Sequence, residues 1–238
     1  MGSNRLIFDK KNCTQIFKAN TIVIKVGSSI LVDPIKNTLK KVWLNSLLDE
    51  IAVLKKNNKK IIIVSSGSIA LGKSVLKITS KKLKLDESQA SAAIGQIKLA
   101  QSYDLILKKY NINTAQVLLT SEDSQNRRRY LNIRSTFKSL LNMGIIPIVN
   151  ENDTVATEEI KFGDNDRLAA QVALITEANL LILLSDIDGL YEKDPNVNPN
   201  TKHLPVINEV TKKMLEMASQ STSVNSKGGM ITKLEAAK

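Results

Sequence analysis

Short β-branched runs recur along the chain, and between them lie longer stretches in which apolar residues return every three or four positions. "TIVIKV" (21–26), "KIIIVS" (60–65), "TAQVLL" (114–119), "IIPIVN" (145–150) and "LLILLS" (180–185) are the strand candidates. Between the first two, Leu39, Val42, Trp43, Leu47, Ile51 and Leu54 are spaced three to five apart, which predicts a helix that buries them on one face. A second helix is predicted from about Glu87 to Lys109, and a third over "RRYLNIRSTFKSLLNMG" (128–144), closed by a glycine cap at Gly144. "VATEEIKFG" (155–163) reads as a small hairpin on a crossover and "YEKDPNVNPNTKH" (191–203) as a long polar loop. Strands alternating with helices predict an α/β fold, a three-layer αβα sandwich with a mainly parallel central sheet. Residues 1–20 read as an N-terminal extension and residues 21–238 as one domain.

In such sheets ligands sit beyond the carboxyl ends of the strands. Each polar motif follows a strand in this way: "KVGSS" the first, "SSGS" the second, "NEND" the fourth and "SDIDG" the fifth. That convergence points to an enzyme.

Composition narrows the class. With 238 residues, 42% of them hydrophobic, the chain can bury a sizeable core. No apolar run approaches the roughly 18–20 residues of a membrane span, and the N-terminus lacks the apolar core of a signal peptide, so a cytoplasmic location with no membrane partner is expected. Leu6 stands where a myristoylation signal after Gly2 requires Ser or Thr. The single Cys13 excludes an internal disulfide and fits a reducing compartment. A net charge of +11 raises the question of nucleic acid, but the lysines are scattered in pairs and the aromatics that would interleave with them make up 4% of the chain. Small anionic substrates fit that charge, and nucleic acid is not the expected partner.

Against this basic background "NENDTVATEEIKFGDND" (150–166) gathers six carboxylates and one lysine. Metal binding, helix capping and recognition of an ammonium-bearing substrate compete for it. The EF-hand spacing is absent, and His203 has no second His or Cys to join it, so no dedicated metal site is expected. "GDND" before "RLAAQVALI" serves equally well as a helix N-cap. "GSIALGKS" (67–74) satisfies the P-loop pattern after a strand, and "LILLSD" would supply a magnesium-binding Asp, which makes a P-loop NTPase or kinase the rival reading. Ile69, Ala70 and Leu71, however, read as the first buried turn of a helix, which leaves no loop of backbone N–H groups around a phosphate.

In this order, "IVIKVGSSIL", "IIIVSSGSIALG", "RRRYLNIRSTFKSLL", "IPIVNENDTVATEEIKFGDNDRLAAQVA", "LLILLSDIDGLYEKDP" and "GGMITKLEAA" resemble the amino-acid kinase family from about residue 21 to residue 238. The pair "NENDTVA…GDND" is most particular to the branch that phosphorylates glutamate; branches acting on aspartate, acetylglutamate, carbamate or UMP share the glycine loops and lysines. The resemblance implies transfer of the γ-phosphoryl of ATP, with Mg2+, to the side-chain carboxylate of L-glutamate, giving glutamyl 5-phosphate, the first step of proline biosynthesis. Aspartate or acetylglutamate is the alternative acceptor within the family. It assigns Lys25 and Lys233 to neutralising charge in flight and Asp166 to orienting those lysines. Ser66, Asp153 and Asn165 fall on the amino acid, with Asn150 and Asp164 in the same shell. To ATP it assigns Lys25, Gly27, Ser28, Gly67, Ser185 and Asp186, and the segment Lys227, Gly228, Gly229, Met230, Ile231, Thr232 and Lys233, with Asp188 and Gly189 shaping the loop after the fifth strand. "NSKGGM" departs from the family where Gly-Thr would precede "GGM"; Lys227 either adds a phosphate contact or is tolerated. The resemblance further implies homo-oligomers, feedback inhibition by proline and functional coupling to glutamyl phosphate reductase. The family's kinase domain continues past "TKLEAAK", often into a PUA domain, so residues 21–238 are expected to be a C-terminally incomplete kinase domain.

Overall fold

The computed structural model describes residues 17–80, 83–157, 165–219 and 229–238. All five apolar runs form strands, β1 Thr21–Val26, β2 Lys60–Ser65, β3 Thr114–Leu119, β4 Ile146–Glu151 and β5 Leu180–Leu184. They pair in parallel in the order β3-β4-β2-β1-β5, and Lys25 of β1 lies opposite Val64 of β2 and Leu183 of β5. Parallel neighbours need crossovers, and these supply the outer layers. Along the strands side chains alternate between two cores. Ile22, Ile24, Ile61 and Ile63 face one cluster, with α2 (Lys41–Lys56) and α4 (Leu85–Leu107). Val23, Ile62 and Val64 face the other, with α6 (Arg127–Asn142) and α7 (Asn165–Ile175). The remaining described helices are α1 Ser28–Leu31, α3 Ser68–Leu76, α5 Ser121–Gln125, α8 Lys212–Ser219 and α9 Met230–Ala237. The three-layer αβα sandwich expected from the pattern is the architecture observed. No described helix is long and apolar enough to cross a membrane.

Several expectations change in detail. The buried stripe of α2 is Leu44, Leu48, Ile51 and Ala52, with Trp43, Leu47 and Leu54 packed beside it, whereas Val42 is 87% exposed. At about 100° per residue, Val42 stands roughly opposite Leu44; a spacing of three to five was too loose to exclude it. Leu39 precedes the helix and bridges to Val32. The second predicted helix starts two residues earlier, at Leu85, where the Lys84 N–H donates to Glu87 Oε2 at 2.9 Å. α6 begins under Asn126, whose Oδ1 accepts from the N–H groups of Arg128 and Arg129. It ends as predicted at Gly144, with φ of +77°, where the N–H groups of Gly144 and Ile145 bond the carbonyls of Leu141 and Leu140.

The polar stretch 191–203 is a hairpin loop and not simply a loop: β6 (Leu190–Tyr191) pairs antiparallel with β7 (His203–Leu204), and the Tyr191 and His203 rings meet at 4.9 Å. Two residues ahead of β1 also pack on the fold. Ala19 is buried in the core, and the Asn20 N–H donates to Asn179 Oδ1 at 3.1 Å. Residues 1–16 of the extension, Cys13 among them, and 158–163 of the expected crossover hairpin lie outside the described residues.

One contact matters for the site. A Cβ on Gly72 of α3 would lie 1.8 Å from the Ser91 carbonyl oxygen, and a Cβ on Gly95 of α4 would lie 1.8 Å from that of Ser68. The two helices therefore cross backbone to backbone, and only glycine fits at either position.

Candidate active site

Lys25 is the penultimate residue of β1 and is 4% exposed. A buried ammonium needs a partner. It finds one in Asp166, fully buried in the first turn of α7, whose Oδ1 lies 2.5 Å from Lys25 Nζ. The other carboxylate oxygen, Oδ2, accepts from Lys233 Nζ at 3.1 Å and from Thr232 Oγ1 at 3.1 Å, both on α9. Outside this centre an Arg167–Glu235 ion pair, 2.6 Å, ties α7 to α9. One carboxylate thus holds two ammonium groups that would otherwise repel, and the triad keeps a net positive charge at the strand ends.

A cavity of about 870 Å³ opens beside this triad, with Lys25 and Lys233 in its wall. Gly27, Ser28 and Ser66 line it from the ends of β1 and β2, Ser185 and Asp186 from the end of β5, and Gly229 and Met230 from the start of α9. Three helices, α1, α3 and α9, begin at glycine N-caps (Gly27, Gly67, Gly229), and in none does a side chain cap the first turn. Their leading N–H groups are the kind of donors that anions take, and Gly27 and Gly229 border the cavity. Among the described residues, a Cβ on Gly229 would meet nothing within 4 Å. Gly67 is glycine for another reason, its φ of +110°. Gly67, Ile231 and Thr232 do not line the cavity. Lys227, Gly228 and Asp164 lie outside the described residues.

A second group of polar side chains lies outside the cavity wall. Asn165 Nδ2 donates to Asn150 Oδ1 at 2.8 Å. Asn150 Nδ2 donates to Gln96 Oε1 at 2.9 Å and to Ser68 Oγ at 3.3 Å, and Ser68 Oγ donates to Asp153 Oδ2 at 3.4 Å. Asn150, Asn165, Ser68 and Gln96 are all buried. The structure thus brings Asn150, Asp153 and Asn165 together as the sequence suggests. Ser66 stands apart from them on the cavity, its N–H bonded to the Val26 carbonyl at 3.1 Å.

Sequence reasoning missed Ser68 and Gln96. Gln96 had a readable signal: Ala92, Gln96, Leu99, Tyr103 and Leu107 form the buried stripe of α4, and one amide interrupts it. Tyr103, on the same stripe, shares a 2.9 Å hydrogen bond with Ser65, and burial pushes its hydroxyl pKa upward.

The P-loop reading fails. Residues 68–74 belong to α3, Gly72 is needed for the crossing with α4, and Lys73 Nζ donates to the Ser80 carbonyl at 2.6 Å. Asp188 accepts from the Tyr191 hydroxyl at 2.8 Å, which suits its turn role. Among the described residues no three His, Cys, Asp or Glu side chains gather as metal ligands.

Two lysines on one buried carboxylate, beside a cavity bordered by uncapped glycine N-termini, make a site for bringing anions together, which is the need of a phosphotransferase. The chain belongs to the amino acid kinase family, whose model matches residues 20–238. Among curated relatives it is 54% identical to a protein named glutamate 5-kinase in Ruegeria sp. (strain TM1040), over 92% of this chain and 60% of the relative. It is 52% identical to one of the same name in Roseobacter denitrificans, over 92% and 59%, and 54% identical to one in Agrobacterium fabrum, over 91% and 56%. The chain therefore spans about 60% or less of the length of these relatives.

Proposed function

We propose that this chain transfers the γ-phosphoryl group of ATP to the side-chain carboxylate of L-glutamate, in line with the glutamate 5-kinase name of its relatives, with residues 21–238 as the kinase domain. The observation that carries the reading is the Lys25–Asp166–Lys233 bridge, set between a nucleotide-sized cavity and a pocket of amide and carboxylate acceptors. In the reaction a glutamate carboxylate oxygen forms a bond to the γ-phosphorus as the bond to the β–γ bridging oxygen breaks, and ADP leaves. The protein forms no covalent bond, so its work is alignment and charge neutralisation. Lys25 and Lys233 approach the transferring group from different elements, and Asp166 keeps them from moving apart. The first-turn N–H groups beyond Gly27 and Gly229 receive the ATP phosphates, and Ser185 and Asp186 border the nucleotide.

Mg2+ is ordinarily held by one or two carboxylates plus phosphate oxygens, and Asp186 in the cavity wall is a carboxylate that fits such a share. The ion would neutralise charge on the phosphoryl oxygens. On the acceptor side, Asp153 and Asn165 offer oxygens to the ammonium of glutamate, Asn150 and Asp164 support them, and Ser66 offers its hydroxyl to a carboxylate. The same reading carries with it a cytoplasmic enzyme of proline biosynthesis, homo-oligomers, feedback inhibition by proline, and delivery of a labile acyl phosphate to glutamyl phosphate reductase.

The test is hydroxylamine trapping of acyl phosphate with ATP and glutamate, aspartate, acetylglutamate or no acceptor. Hydroxamate that depends on glutamate is the expected result. ATP turnover indifferent to the amino acid would contradict the reading.

A further inference from the structure

We propose that Gln96 is a positioning residue that fixes which face the acceptor pocket shows its ligand, and so makes the site select a substrate carrying a free ammonium; the proposal rests on the glutamate-kinase reading. Gln96 sits on the buried stripe of α4 at 6% exposure, and its Nε2 is fully buried with no hydrogen-bond partner among the described residues. A buried donor left unsatisfied is costly, and Met or Leu would fill the same place without it, so packing alone does not explain an amide here. What the amide supplies is its oxygen. Gln96 Oε1 and Ser68 Oγ take one bond each from Asn150 Nδ2, at 2.9 and 3.3 Å. Ser68 Oγ is obliged to accept, because its own proton goes to Asp153 Oδ2.

With both acceptors on one side of Asn150, its Oδ1 is left for Asn165, whose Nδ2 donates to it at 2.8 Å. That bond commits Asn165 to one of its two amide flips. Its nitrogen is tied to Asn150, and among the described residues its Oδ1 takes no hydrogen bond. The network therefore fixes an amide oxygen at Asn165 and includes the carboxylate of Asp153, both acceptors that match the donor-only ammonium of an amino acid. The opposite flip of Asn150 would turn Asn165 with it and offer an NH2 group, which suits an acyl or carboxylate oxygen instead. The crossing at Gly72 and Gly95 is what lets Ser68 and Gln96 reach Asn150 from two different helices.

The test compares Gln96→Met, which removes both polar atoms at similar volume, with Gln96→Glu, which keeps an acceptor oxygen and removes the buried donor. The readout is the inhibition constant of glutarate, a competitor without the ammonium, divided by the KM for glutamate. We expect this ratio to fall about tenfold in Gln96→Met, with the KM for ATP within about twofold of wild type, and to be retained in Gln96→Glu. A folded Gln96→Met variant with an unchanged ratio, or a folded Gln96→Glu variant that loses it, would overturn the assignment; the second arm decides even where the Met variant does not fold. A wild-type chain with no glutamate-dependent hydroxamate would overturn the functional reading itself, and the role of Gln96 with it.

Discussion

The two sides of the proposed site are built differently. On the acceptor side, Asn150, Asn165, Ser68 and Gln96 are buried side chains locked to one another, drawn from β4, α7, α3 and α4. On the nucleotide side, the wall is made by strand ends, the β6–β7 hairpin and the starts of helices, and its donors are backbone N–H groups at glycine caps. Backbone donors receive phosphate through any nucleotide, whereas interlocked side chains discriminate among small acids. In the proposed reading, selectivity for the acceptor is preorganised in the packed part of the fold, and the nucleotide is met by the more open part. The Lys25–Asp166–Lys233 bridge links the two sides: its lysines line the cavity, and Asp166 follows Asn165 of the acceptor network in the chain.

Removing the junction should have the largest effect on both sides at once. Asp166→Ala leaves two ammonium groups at a site where the carboxylate is fully buried, so a loss of about 3–5 kcal/mol in stability is expected together with near loss of turnover. Thermal melts and hydroxamate kinetics read the two effects separately. Next come the lysines themselves: Lys25→Ala or Lys233→Ala should each cost roughly 10²- to 10³-fold in kcat. Lys73→Ala should cost almost nothing, since that lysine bonds a surface carbonyl. The opposite pattern would restore the P-loop reading.

A glycine pair then separates the sides. Gly95→Ala drives a Cβ into the Ser68 carbonyl and should destabilise by about 1–3 kcal/mol while raising the KM for glutamate more than that for ATP. Gly229→Ala, whose Cβ would meet none of the described residues within 4 Å, should leave the melting temperature nearly unchanged and raise the KM for ATP alone. Equal effects of the two substitutions on both substrates would erase the distinction drawn between the sides.

Much of this was readable from the chain. The apolar runs located every strand of the sheet, because β-branched and aliphatic runs of strand length stand out even with Lys25, Gln116 or Asn150 inside them. The glycine cap of α6 was readable because a positive φ leaves few choices of residue. The face of α2 was less clear, since Val42 is apolar but turned to solvent, and apolar surface residues are common. Lys25, Asp166 and Lys233 were found by resemblance; nothing in their spacing says that residues 25, 166 and 233 meet at one carboxylate. Gln96 was passed over because a single amide in an apolar stripe looks like noise until its partner, 54 positions away, is in view.

The most direct test is Asp153→Ala, which removes a carboxylate that bonds Ser68 in the acceptor network and does not line the cavity. A rise of at least about tenfold in the KM for glutamate, with the KM for ATP within about twofold of wild type, is the predicted result. An equal loss of affinity for both substrates would mean that Asp153 holds the fold and not the ligand, and would contradict the division of the site into two sides.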